Sequence, residues 1–382
     1  MVFSSGSSTV INNSGKIGPS TLPLHVEGRY IKDSNGSTIV LRGVNDGGWV
    51  DTPNGGFTAN GHVWGQDHWT WNPGSITDEL DRLHSLGINC IRSIIVCDWW
   101  VNNYQNYRDH YEYLVKQASY RGIYVISGFY EVLGYVSGGE TWTDFPYPPY
   151  ITSSAAKAIV PNEQAFVNIC GSLAQKLSLY PNVLYDLWNE VGPHYAPNSP
   201  EMQNWWTVVQ SCVSTIRQYS EGIVLLEYGW GISCDLNYPN GAESLVWVQN
   251  NSVTDPLGNI VYSTHVYRDG GGLGYWGSNN TRASDLANIQ RAWNYSLVYA
   301  AVQQWNKSLL IGEIGCNALT EASQELIGFT NALSICNNLG VSYTAWIWEP
   351  RGSYALVQNT AYPAQLSSSG QALVNAIEQA SS

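Results

Sequence analysis

Short apolar runs alternate with helical patterns along most of the chain. Residues 24–44 read as a β-hairpin that turns at Asp33-Ser34-Asn35-Gly36 and returns through Thr38-Ile39-Val40-Leu41. Ser75-Ile76-Thr77-Asp78 has the form of a capping box. Behind it, Ile76, Leu80, Leu83 and Leu86 fall on one helical face, and Gly87 marks the stop. Ile88-Asn89-Cys90-Ile91-Arg92 follows as a strand. The same unit then recurs. Helices over 107–121, 163–179, 202–219, 284–305 and 321–339 precede strands over 124–129, 183–188, 223–227, 309–312 and 343–348. A further strand lies at 261–265, and a last helix covers 370–380.

Strand ends therefore fall near Asn45, Ile95, Phe129, Trp188, Glu227, His265, Gly312 and Trp346, spaced 34 to 59 residues apart. Eight such units predict an α/β chain folded as a closed (β/α)8 barrel of the TIM type, with a short N-terminal β-hairpin. The competing doubly wound sheet usually carries a Gly-rich phosphate turn after its first strand. Gly43-Val44-Asn45-Asp46-Gly47-Gly48-Trp49 is not one. No second domain boundary is visible, so residues 1–23 read as a polar leader or linker and 24–382 as a single domain. Two expected loops are long and aromatic. One carries Trp49, Trp64, Trp69 and Trp71, the other Tyr135, Trp142, Tyr147 and Tyr150. On the rim of a barrel they imply an open cleft for an extended ligand.

Composition narrows the ligand. Among 382 residues only 12% are charged, with a net charge of -13, which disfavours a phosphate-backbone partner such as nucleic acid. No apolar stretch reaches the length of a membrane span. There are 17 Trp and 25 Tyr against 6 Phe. Rings with a polar edge suit half-wet surfaces, and the flat C–H faces and hydroxyl rims of sugars match them. The 7 cysteines form no C-x-x-C pair, and their odd number leaves at least one free thiol. The polar start at Met1-Val2-Phe3-Ser4 is no signal peptide, so secretion is inferred rather than displayed. Scarce charge also predicts tolerance of acid, because few paired carboxylates wait to be protonated.

Two glutamates carry the candidate chemistry. Val183-Leu184-Tyr185-Asp186-Leu187-Trp188-Asn189-Glu190 is an apolar strand ending in Asn-Glu. Leu309-Leu310-Ile311-Gly312-Glu313-Ile314-Gly315 ends in a Gly-flanked Glu. As strands four and seven of a barrel, they aim both carboxyl groups at the mouth from facing walls. Glycoside hydrolysis with retention needs such a pair, one protonated and one ionised. Arg92 is the candidate cation to keep the nucleophile ionised. A metal-dependent hydrolase is the rival enzyme class, but His62, His68, His194 and His265 show no H-x-H or H-E-x-x-H spacing. No metal or cofactor is expected.

Taken in order, Leu41-Arg42-Gly43-Val44-Asn45, Ile91-Arg92, Trp188-Asn189-Glu190, His265-Val266-Tyr267, Gly312-Glu313-Ile314-Gly315 and Trp346-Ile347-Trp348 resemble glycoside hydrolase family 5 over nearly all the chain. The resemblance implies that Glu190 is the acid/base and Glu313 the nucleophile. It implies that Asn189 binds the 2-hydroxyl of the reacting sugar, that Tyr267 and Arg92 hold Glu313, and that His265 contacts the acid/base or the sugar. Trp346 becomes the platform beneath that sugar, with Trp49 a further sugar contact. Family members often have His at the end of strand three; here Val125-Ile126-Ser127-Gly128-Phe129-Tyr130 offers Tyr130 instead. The expected protein is thus a secreted, monomeric, cofactor-free cellulase-like β-glycanase that cuts a β-1,4-glucan internally. A β-1,4-mannanase is the alternative, and a non-catalytic glycan-binding barrel the remote one.

Overall fold

The computed structural model describes residues 21–46, 73–96, 100–101, 103, 106–131, 163–189, 200–227, 253–267, 306–316, 324–350, 352–359 and 365–381. Eight parallel strands close into a barrel. In chain order they are β3 (Arg42–Asp46), β4 (Cys90–Val96), β5 (Tyr124–Glu131), β6 (Val183–Asp186), β7 (Val224–Glu227), β8 (Ile260–Tyr267), β9 (Leu309–Gly315) and β10 (Ser342–Trp348), with β10 pairing back onto β3. The described helices are α1 (Pro73–Ser85), α2 (Tyr107–Ser119), α3 (Glu163–Leu177), α4 (Pro200–Ile216), α5 (Gln324–Leu339) and α6 (Ser368–Ser381). The predicted helix over 284–305 and both aromatic loops lie outside the described residues. Among the described residues no helix is long and apolar enough to cross a membrane.

The chain enters three of the strands by a repeated device. After α1, Gly87 N–H bonds the carbonyl of His84 and Ile88 N–H that of Leu83. After α2 the pairs are Gly122 with Ser119 and Ile123 with Ala118; after α5 they are Gly340 with Asn337 and Val341 with Cys336. All three glycines have positive φ, which this helix stop requires at that position. The next residue in each case is a buried aliphatic that leads into β4, β5 or β10. Helix α1 begins two residues before the predicted cap, with Pro73 in its first turn, where its missing N–H costs nothing.

A separate two-stranded sheet, β1 (Leu24–Glu27) and β2 (Tyr30–Asp33), forms the N-terminal hairpin, with its turn at Gly28-Arg29. The expected turn at Asp33–Gly36 exists, closed by Gly36 N–H to Asp33 O at 2.9 Å. It returns only as far as an isolated bridge between Thr38 and Lys32, so residues 38–41 are not a strand. Leu24 and Ile31 of this sheet join Leu41, Cys90, Tyr124, Ile126, Leu184, Ile223, Leu225, Val261 and Leu310 in one buried cluster. The hairpin thereby plugs the end of the barrel where the strands start. The larger core lies between the barrel wall and the helices.

Side chains on alternate strands share a level inside such barrels. Two residues beyond the apolar Cys90, Leu184 and Val261 stand Arg92, Asp186 and Ser263, joined by Thr344 of β10; all four are almost completely buried. The interior thus turns from apolar at the plugged end to polar beneath the mouth.

Candidate active site

Arg92 organises the polar level. Its Nε donates to Asp186 Oδ2 at 2.8 Å, and Nη2 to Asn189 Oδ1 at 2.8 Å. Its Nη1 donates to Glu313 Oε1 at 2.9 Å and Asn45 Oδ1 at 3.1 Å. The guanidinium is 1% exposed and the Glu313 side chain 5%. A planar fork with five N–H donors is the group that can serve four acceptors on three other barrel strands or their ends at once. Asn45 is held in turn, its amide donating to the carbonyls of Gly312, Thr344 and Ala345 at 3.1 to 3.3 Å. Thr344 Oγ1 also donates to the Gly312 carbonyl.

Glu313 lies within β9, where the ladder to β8 shifts register at Thr264/His265 and sets His265 opposite Glu313. Gly312 makes this possible: a Cβ there would lie 2.7 Å from Ser263 Oγ and 3.1 Å from His265 Nε2. His265 Nδ1 stands 3.5 Å from Glu313 Oε2. Burial lowers the imidazole pKa to about 4, against the pull of Glu313, so the ring is neutral at neutral pH. The contact is then a dipole beside a carboxylate rather than an ion pair.

The expected residues Arg92, Asn189, His265, Glu313 and Trp346 are all brought to the strand ends on one side of the barrel. Asn189 follows β6, with its N–H bonded to the Phe129 carbonyl at 2.9 Å. Trp346 clusters with Ile94, Ile347 and Tyr354 and is 7% exposed. Trp348 faces the other way: its Nε1 donates to Glu79 Oε2 at 2.9 Å under α1, and the Arg82 guanidinium lies 5.4 Å from its ring. It is core, not platform. Tyr130 and Tyr267 belong to β5 and β8 by backbone, but their side chains, with Glu190 and Trp49, lie outside the described residues. Sequence reasoning gave no role to Asn45 and missed Asp186. Its signal was one acid inside the otherwise apolar run 183–188. Among the described residues no group of three or more His, Cys, Asp or Glu is placed to hold a metal, and Cys90, Cys170, Cys212, Cys316 and Cys336 are free and buried.

Solved structures share this architecture. A hyperthermophilic endocellulase from Pyrococcus horikoshii superposes with a TM-score of 0.67 at 19% identity, over 96% of this chain and 100% of its own. The catalytic domain of the Thermobifida fusca endoglucanase Cel5A gives 0.61 at 17% identity, over 93% and 97%. The catalytic domain of a mannanase from Streptomyces sp. SirexAA-E gives 0.59 at 18% identity, over 98% and 96%. A sequence search of curated proteins finds no match. Over residues 44–352 the chain matches the family model for cellulase (glycosyl hydrolase family 5), and it belongs to that family of glycoside hydrolases.

Proposed function

We propose that the protein is a retaining, endo-acting β-1,4-glycanase whose preferred substrate is cellulose or a related β-glucan. The observation that carries this reading is the seat of Glu313: a nearly buried carboxylate at the barrel mouth, held by Arg92 on one oxygen and faced by neutral His265 on the other. Held ionised, Glu313 attacks the anomeric carbon while Glu190 gives its proton to the leaving glycosidic oxygen. A glycosyl-enzyme ester forms, and water then displaces Glu313 with Glu190 acting as base. Inversion occurs twice, so configuration is retained. Asn189 meets the 2-hydroxyl, and Trp346 lies beneath the reacting ring. Tyr267 supports Glu313, while Tyr130 and Trp49 contact the sugar. The endoglucanases among the structural neighbours favour an internal cut of glucan.

Residues 24–382 act as one catalytic domain, working as a monomer outside the cell. A polymer that cannot cross a membrane must be met there. β-1,4-Mannan is the second reading, favoured by the mannanase among the neighbours. Glucose and mannose differ at the 2-hydroxyl, so the surroundings of Asn189 and Tyr130 decide between them. Rates on carboxymethylcellulose and on a glucomannan test the choice, and much faster hydrolysis of mannan overturns the glucan preference. Glu313→Ala is expected to lower the rate roughly a thousandfold or more on either polymer. Undiminished hydrolysis by that variant rejects the catalytic assignment. The β-anomer should appear first when the product is followed by NMR.

A further inference from the structure

We propose that Asp186 is a positioning residue of the hydrolytic site, acting through Arg92 to set both the plane and the available charge of the guanidinium that serves Glu313 and Asn189. The inference rests on the hydrolase reading of Glu313.

Asp186 touches neither cleft nor solvent; its side chain is 0% exposed. It occupies the Nε edge of Arg92, while the two Nη groups face the site. A guanidinium is rigid and planar, so fixing the Nε edge fixes where the other N–H groups point. Asp186 and Asn189 both belong to β6 and its extension, so Arg92 ties the segment leading to Glu190 to the strand carrying Glu313. The arrangement is bought at some cost. Among the described residues Asp186 Oδ1 accepts no hydrogen bond. A buried carboxylate in an apolar strand is more expensive than a hydrophobic side chain of similar size. The neighbouring strand is adapted to it, because a Cβ at Gly128 would lie 3.1 Å from Asp186 Oδ2.

The electrostatic consequence is specific. One cation lies between two carboxylates, Asp186 at 2.8 Å and Glu313 at 2.9 Å. The negative charge of Asp186 partly cancels the field of Arg92 at Glu313. Among the described residues the charged or titratable groups that face Glu313 are Arg92 from β4 and His265 from β8, and Asp186 from β6 stands behind Arg92. Neutralising Asp186 removes that opposing charge, so Glu313 holds its ionised form to lower pH but attacks less readily.

The test is the pH profile of Asp186→Asn, which keeps an acceptor for Nε and removes the charge. The probe is 2,4-dinitrophenyl β-cellobioside, or the β-mannobioside if mannan is preferred. Its leaving group needs no proton, so the acid limb of kcat/KM reports Glu313. The limb is expected to move to lower pH by about half a unit or more, with kcat falling about tenfold and KM changing less than about threefold. Asp186→Ser removes the same charge without adding volume and should move the limb the same way. An unmoved limb alongside a lowered melting temperature makes Asp186 merely structural and overturns the proposal, as does failure of both variants to fold. Wild type and Glu313→Ala run beside them: an inactive wild type or an active Glu313→Ala overturns the hydrolase reading itself.

Discussion

His265 shows what the site demands of one residue. Burial lowers its pKa from about 6.5 to about 4. As the pH falls below 6.5 the unfolded chain takes up a proton that the folded chain refuses, and stability drops. Below pH 4 both states carry the proton and the loss stops growing. Across that window the cost is on the order of 3 kcal/mol. The difference between urea-unfolding free energies at pH 7 and pH 4.5 should therefore shrink in His265→Asn; an equal difference in wild type and variant contradicts the assignment. This works against the acid tolerance that scarce charge implies. At this scale the sequence was partly legible. Arg92, Asn189, His265, Glu313 and Trp346 stand at the ends of recognisable strands. Asp186 was not legible, because its meaning depends on a contact with Arg92 made 94 residues away across the barrel.

Among elements, α3 and α4 approach each other closely at one point. Gly171 of α3 faces Thr215 of α4 so closely that a Cβ would lie 2.6 Å from Thr215 Cγ2. Thr is β-branched and cannot swing aside freely. Gly171→Ala is expected to cost about 1 to 3 kcal/mol, and Thr215→Ala in the same chain should restore most of it, as thermal melts of the single and double variants would show. Absence of coupling between the two changes would mean the helices adjust without strain. Strand identities were legible from apolar runs after helical patterns, but their ends were not. Tyr124 to Glu131 and Ile260 to Tyr267 both run past the predicted stop. The backbone continues there because neighbouring strands pair with it, Glu131 opposite Val96 and Tyr267 opposite Gly315. The N-terminal hairpin was legible as an element, but its turn was not. Asp33-Ser34-Asn35-Gly36 carries the stronger turn signal, yet the strands reverse at Gly28-Arg29, which sets Leu24 and Ile31 into the plug.

For the whole molecule, stability and chemistry are assigned to opposite ends of the barrel. Ile31 is buried in the plug, and Glu313 lies at the mouth. Ile31→Ala should lower stability by about 2 to 5 kcal/mol yet leave kcat unchanged at temperatures where the variant stays folded. A fall in kcat at those temperatures would show that the plug reaches the site. The closed barrel was legible because eight beta–alpha units leave few other architectures.

Arg92 also draws its partners from both sides of the chain's midpoint. Asn45, Arg92, Asp186 and Asn189 come from β3 to the end of β6, whereas His265 and Glu313 come from β8 and β9. Severed between α4 and β7, the molecule would give two silent fragments, each owning half of the charge constellation. Sugar release would then mark their reunion, and the enzyme would serve as its own complementation reporter.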